Sequence, residues 1–563
     1  MSRKIIVDPI TRIEGHLRIE AILNGSGNEI TEAYSSSTLF RGIELILNGR
    51  APEDAGLFAQ RICGVCTYSH YEAATWAVEN ALGIHPPKNA RIARNILKGT
   101  QMVQDHLIHF YQLAGLDWVD IVSALSANPK KTMDLAYAYT KTPYNASLAR
   151  FEEVKTRLNA FVKSGQLGPF AGGYWGNPSY KLPPEGNLLI ASHYLDNLNI
   201  LRIPAQIIAI LGSKDPHPQT CVVGGISSIA DMINPHRMDD ILFRMNKITD
   251  FVNNAYIPDL LTAAQFYKDE ALQGIGGGLK NYLSYGAFPQ TDDENPEHDY
   301  LARGVIFDRD IGNVMDLDEK KITEFVTHSW YKYPNEKTGL NPSVGVTAPN
   351  YTGLNKNGSL KEDEKYSWVK SPRYENRAVE VGPLARTLIA YAKGNEKIKT
   401  LVDYVLKTSG LPVTALFSTL GRTAARGIEA KYLADALEPW TIELMKNVAI
   451  DQSSWTNYDM PSKEIIGIGL DEAPRGALGH WVRIKNKRIT HYQIVVPTTW
   501  NASPRDGFNN PGAYEASLVG VKLANASEPL EILRTVHSFD PCLACAVHII
   551  DPKTDEVKKF KIC

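Results

Sequence analysis

The sequence predicts an α+β fold, predominantly α: a helical core bundle with small peripheral antiparallel sheets, built from both ends of the chain. Three observations carry this. Long segments with few breakers place apolar residues at helical spacing. Short alternating segments sit near both termini. No internal repeat or low-complexity linker divides the 563 residues.

Taken in order, Leu17, Ile19, Ala21 and Leu23 alternate with Arg18, Glu20 and Ile22, and Asn24-Gly25-Ser26-Gly27 offers a hairpin turn before a second strand over residues 30–34. From about Ala51 the period becomes helical. A helix over 70–82 stops at Gly83 and the Pro86-Pro87 pair. A longer one runs over 89–113, with Ile92, Ile96, Val103, Leu107 and Tyr111 on one stripe. Further helical segments are expected near 150–164, 236–269, 383–408 and 414–449. Residues 285–375, rich in Asp, Asn, Gly, Pro and Tyr, read as irregular surface or a small β insertion. Residues 481–484 and 490–496 pair as a hairpin across Lys485-Asn486-Lys487.

Composition narrows the function classes. Hydrophobic residues make up 44% and charged residues 22%, an ordinary globular balance. Sixty basic against sixty-two acidic side chains leave a net charge of −2, which argues against nucleic acid or a polybasic membrane patch. No stretch approaches the roughly eighteen apolar residues of a membrane span. The first residues, MSRKIIVDPITR, hold no apolar core, so no secretory signal of the chain's own is expected.

Six cysteines are too few for a disulfide framework in a chain of this size, and four of them form two CxxC pairs, Cys63/Cys66 and Cys542/Cys545. One such pair is ordinarily a redox pair or half a zinc knuckle. Two, almost a chain length apart, point to termini that converge on one metal. Four thiolates are soft ligands suited to zinc, iron–sulfur clusters or nickel. About 475 residues separate the pairs, so the site closes only when the whole fold does. That favours a buried catalytic centre over a local staple, though spacing alone does not name the metal.

The flanks carry more. Residues 61–70 read Arg-Ile-Cys-Gly-Val-Cys-Thr-Tyr-Ser-His, and residues 540–548 read Asp-Pro-Cys-Leu-Ala-Cys-Ala-Val-His. Both resemble the nickel-binding motifs of the large catalytic subunits of nickel–iron hydrogenases, of the uptake or respiratory type. The resemblance continues in residues 8–16 (DPITRIEGH), 40–44 (FRGIE), 104–111 (QDHLIHFY), 217–220 (HPQT), 473–476 (APRG) and 497–501 (PTTWN). No ligand position departs from the family pattern.

That resemblance implies reversible heterolytic cleavage of H2 to protons and electrons at a Ni–Fe centre. Cys63 and Cys542 would be terminal nickel ligands, and Cys66 and Cys545 would bridge nickel to iron. The iron would carry carbon monoxide and cyanide. Glu44, the backbone carbonyl of Ile494 and His548 would hold magnesium, or iron, at a secondary site. Pro474, Arg475 and Thr498 would line the diatomic ligands, with Asp105 and Asp540 as anionic partners of Arg475. Heterolysis needs a base beside the metals; the Cys542 thiolate, the Glu14 carboxylate and the Arg475 guanidinium are the candidates. Val65 and Leu113 would line a gas passage.

With four cysteines committed, only Cys221 and Cys563 remain, too few to ligate an iron–sulfur cluster. Electrons therefore leave through a partner, which the resemblance names as an iron–sulfur small subunit, with His217 facing its nearest cluster. The resemblance further divides the chain into a domain over 1–548 and a C-terminal maturation peptide over 549–563, removed by an endopeptidase. It places the protein on the periplasmic side of a bacterial inner membrane, exported with the small subunit and touching the membrane only through partner subunits. Three other readings compete: a respiratory-complex relative, which would lack the cysteine pairs; a hydrogen sensor, which would lack the C-terminal extension; and a zinc-stabilised structural protein.

Overall fold

A computed structural model describes residues 3–25 and 27–546, with the backbone alone at residues 169, 545 and 546. The Cys545 side chain, His548 and residues 549–563 thus lie outside the described residues. No described helix is long and apolar enough to cross a membrane.

The core is a bundle around two helices, Lys88–Leu107 and Thr419–Val448, which pack along each other with Arg202–Gly212, Pro235–Phe251 and Ile257–Leu272 around them. The Ile92, Ile96, Val103, Leu107 and Tyr111 stripe is buried as expected. Lys88–Leu107 continues as a π-helical turn over Ile108–Leu113. The longer partner is started by Ser418, whose hydroxyl accepts the Gly421 N–H at 3.0 Å, an N-cap.

Two three-stranded antiparallel sheets sit beside the bundle. One joins Arg3–Val7, Leu17–Leu23 and Ile30–Ser37; the other joins Ile465–Ala473, Gly476–Lys485 and Arg488–Val495. The second hairpin turns at Asn486 and Lys487, both at positive φ (53° and 59°). The helix Thr67–Leu82, ended by Gly83 in the left-handed conformation, lies on strand Ile465–Ala473. Gly467 and Gly469 permit this, since a Cβ at either would collide with the helix carbonyls of Ala77 and Ala73. The first CxxC and the turn after Ala473 are thereby brought to one end of a single layer.

Several expectations need correction. The segment 383–408 is two helices, Pro383–Ala392 and Glu396–Ser409, because Gly394 takes φ 78° and Asn395 caps the second by accepting the Ile398 N–H at 3.1 Å. The segment 236–269 is divided by a π-turn at Val252–Tyr256. Helix Pro184–Ile200 escaped notice because it is buried on nearly every side and so shows no amphipathic period. Strand Ile465–Ala473 escaped because its two glycines erase the alternation. Residues 285–375 do carry short strands, but much of the segment packs inward. Its Leu360 N–H donates to Glu20 at 2.9 Å, covering a sheet face on which Arg18 and Glu20 pair.

Candidate metal centre

Both ends of the chain meet in one seam. Cys63 follows a 3₁₀ turn in extended conformation, and Cys66 is the residue before helix Thr67–Leu82. The N–H groups of Val65 and Cys66 donate to the Cys63 sulfur at 3.2 and 3.3 Å, which orients that sulfur. From the other end, the Cys542 N–H donates to Thr498 Oγ1 at 3.2 Å, and the Cys542 sulfur lies 3.3 Å from that of Cys63. The sulfurs of Cys63, Cys66 and Cys542 are buried and all lie within 4.8 Å of one another.

Glu14 fastens the C-terminal motif. Its N–H donates to the Pro541 carbonyl at 3.3 Å and its carbonyl accepts the Leu543 N–H at 2.8 Å. Its Oε2 accepts the Ala544 N–H at 3.0 Å and faces the Cys542 Sγ at 3.2 Å. Gly15, at φ 83°, makes this approach possible; a Cβ there would strike the Ala544 nitrogen. Burial first, then the Cys63 charge, pushes the Glu14 carboxyl up to about 7, against the lowering pull of its hydrogen bonds and of Arg475.

Arg475, in the tight turn between two strands, reaches Asp105 Oδ2 at 3.3 Å and Asp540 Oδ1 at 3.1 Å, all three buried. Burial opposes its charge, but Asp540, Cys542, Asp105 and Cys66 more than offset this and hold its pKa above the ordinary value. The guanidinium therefore keeps its proton, which leaves Cys542 and Glu14 as the two candidate bases. Asp105 is raised to about 8, by burial first and by the like charges of Asp540 and Cys63, with Arg475 opposing.

The donor set fits a soft metal. Three clustered thiols accept such an ion readily, and the backbone of Cys545 follows in the short helix Leu543–Ala546. Neither carboxylate oxygen of Asp540 nor the Nε of Arg475 makes a directional hydrogen bond among the described residues. Buried polar atoms of this kind ordinarily have a partner.

Other expected residues are placed as follows. Glu44 and Ile494 come together, but through the Ile494 N–H, which donates to Glu44 Oε1 at 2.8 Å; the Thr347 hydroxyl holds the other oxygen. Pro474 offers its carbonyl to Arg386 at 2.9 Å. The His217 N–H donates to Thr67 Oγ1 at 3.3 Å, beside the first motif. Val65 and Leu113 are half-buried. The sequence reading missed Arg386, Arg426, Glu429 and Glu472, all buried around Asp540 or the turn that carries Arg475. Their one available signal was charge inside otherwise apolar segments, as in residues 422–434 (RTAARGIEAKYLA).

This geometry defines a protein with a buried soft-metal centre: a cluster of thiols with a carboxyl and a guanidinium beside it. Residues 41–548 match the family model described as nickel-dependent hydrogenase, and residues 4–35 match one described as HoxL-like. The quinone-reactive Ni/Fe-hydrogenase large chain of Wolinella succinogenes is 46% identical, over 100% of this chain and 98% of that one. The hydrogenase-1 large chain of Escherichia coli is 45% identical, over 100% and 97%. Among solved structures, the reduced Ni-Fe-Se hydrogenase of D. vulgaris Hildenborough is 32% identical with a TM-score of 0.77, covering 97% of this chain and 100% of its own. The chain belongs to the nickel-dependent hydrogenase family, as a large, hydrogen-activating subunit with a nickel–iron centre.

Proposed function

We propose that the chain is the catalytic subunit of an uptake-type respiratory hydrogenase in which Cys63, Cys66, Cys542 and Cys545 hold nickel, with Cys66 and Cys545 shared with iron. The single observation that carries this is the convergence of three thiols from opposite chain ends within 4.8 Å, with Glu14 at 3.2 Å from one of them. When bound, the nickel–iron centre supplies the Lewis acidity and the redox change that heterolysis of H2 requires.

The chain's own residues do the rest. Cys542 Sγ receives the proton and passes it to Glu14 Oε2, which stands within hydrogen-bond reach. Arg475 keeps a fixed positive charge against the cluster, held by Asp105 and Asp540. Thr498 Oγ1, which accepts the Cys542 N–H, and the Arg475 Nε–H, which has no hydrogen-bond partner among the described residues, are the donors this reading assigns to the ligands of the iron. Carbon monoxide and cyanide are the diatomic ligands in this reading. Glu44, with the Ile494 carbonyl and His548, holds magnesium or iron in this reading, supported by the buried Glu44 carboxylate lying against the strand that carries Ile494.

Electrons pass to an iron–sulfur small subunit, the partner that a large chain of this family implies. The uptake and quinone-reactive names of relatives support a respiratory role, and in this reading the protein works on the periplasmic side of the inner membrane. A maturation endopeptidase removes residues 549–563 once nickel is in place, a division supported by the family match ending at residue 548.

Elemental analysis with infrared spectroscopy of the active heterodimer tests the core of this. Nickel and iron in stoichiometric amount, with carbon monoxide and cyanide stretches, are expected. Active enzyme containing zinc and no nickel would overturn it.

A further inference from the structure

Arg475 acts only if the turn that carries it is fixed to within a fraction of an ångström, and that turn is held from two sides. Behind it lies Val381–Gly382. Gly382 takes φ 123° and Gly476 φ 132°, both favouring glycine. A Cβ on Gly382 would stand 3.0 Å from the Arg475 carbonyl oxygen, and one on Gly476 would stand 2.6 Å from the Gly382 nitrogen. Asn501 fixes this backing segment, accepting the Val381 N–H at 3.1 Å and donating to its carbonyl at 2.9 Å. Asn501 ends the short helix that carries Thr498, so one bracket serves both residues.

In front of the turn stands Arg386, one turn into helix Pro383–Ala392 and fully buried. All five of its N–H bonds are used. Nε and Nη2 donate to Glu429 at 2.6 Å each, and Nη1 donates to Glu472 at 2.5 Å. The remaining two donate at 2.9 Å to the carbonyls of Ala473 and Pro474, the two residues before Arg475.

We infer that Arg386 is the positioning residue for Arg475: its guanidinium fork, oriented by Glu429 and Glu472, clamps the 473–474 carbonyls and so aims Arg475 at the thiol cluster. The inference rests on the proposed role of Arg475. A planar fork with five donors meets two carboxylates and two carbonyls at once, which the three donors of an ammonium cannot do. Burial works against charge on all members, yet Arg386 and His106 hold Glu429 down to about 2, so the orienting anion persists across the physiological range. Glu472 is fixed on its far side by the Tyr285 N–H at 2.7 Å.

A double-mutant cycle on the assembled, metal-loaded heterodimer tests this. At wild-type nickel and iron content, Arg386→Lys should lower kcat by about 10- to 100-fold with KM for H2 nearly unchanged. It should also shift the nickel electron paramagnetic resonance spectrum in the direction that Arg475→Lys does. In an Arg475→Lys background the same change should cost less than about twofold, because the guanidinium fork being aimed is already gone. Equal losses in both backgrounds, or wild-type kcat and spectrum in Arg386→Lys, would overturn the inference. If Arg475→Lys alone is harmless, the proposed role of Arg475 fails instead. Should Arg386→Lys not load metal, Glu472→Gln, which keeps an acceptor but removes a charge, takes its place in the cycle. Failure of both to load metal would make the clamp a folding element and also overturn the inference.

Discussion

Glu14 and Cys542, at opposite ends of the chain, pair as neighbouring backbone segments and place carboxylate Oε2 3.2 Å from sulfur. The carboxyl is thus positioned by the same backbone pairing that places the Cys542 sulfur.

Glu14→Gln keeps the shape and can still accept the Ala544 N–H, but an amide cannot cycle a proton near neutral pH. Hydrogen oxidation should fall by about 100-fold or more while nickel, iron and the assembled heterodimer are retained. Unchanged turnover in metal-replete variant would move the relay to another residue.

Arg475→Lys retains charge and loses the fork that spans Asp105 and Asp540. Preorganised electrostatics at a reacting centre are worth about 3 kcal/mol, so activity should drop by about two orders of magnitude with metal content intact. Steady-state assays alongside metal analysis read both quantities.

Gly15→Ala forces a Cβ into the Ala544 backbone at φ 83°. The strain and clash together cost about 1–3 kcal/mol or more, and fall on the seam that closes the site. Nickel content per chain should drop sharply, whereas Gly25→Ala, with nothing within 4 Å, should load normally. Equal loading of the two variants would show that the seam tolerates displacement.

Glu515 is buried, accepting the Ser35 N–H at 3.0 Å and the Tyr366 hydroxyl at 2.9 Å. Burial, against the lowering pull of those bonds, raises its carboxyl from 4.5 to about 7. The folded state therefore binds this proton more tightly than the unfolded state. Its contribution is complete below about pH 4.5 and is lost as pH rises through about 7. Glu515→Gln, neutral at every pH, should match wild type near pH 4.5 and exceed it at pH 8 by roughly 1–3 kcal/mol. Thermal melts of the heterodimer across that range give the comparison; parallel pH profiles would count against the assignment.

Residues 549–563 are strongly charged, and burying such charges unpaired beside the centre would be costly. Intact-mass measurement of active enzyme should show a chain ending at His548, while protein made without nickel should keep all fifteen further residues. Active, nickel-loaded chains still ending at Cys563 would refute the cleavage.

The sequence by itself determined the chemistry and the class. Two CxxC pairs with their flanks specify the soft-metal centre, and breaker-poor apolar periodicity marks the helices Thr67–Leu82 and Lys88–Leu107, because both signals are local. Tertiary structure alone brought in the charges that lie outside those motifs. Arg386, Glu429 and Glu472 look in sequence like any solvated charges, and only burial against partners dozens of residues away makes them a clamp. Glu14 differs: its motif already marks it as a candidate base, and the fold supplies the 3.2 Å approach to the Cys542 sulfur. An ion pair's worth depends on distance and on exclusion of water, and neither is written in the local order of residues.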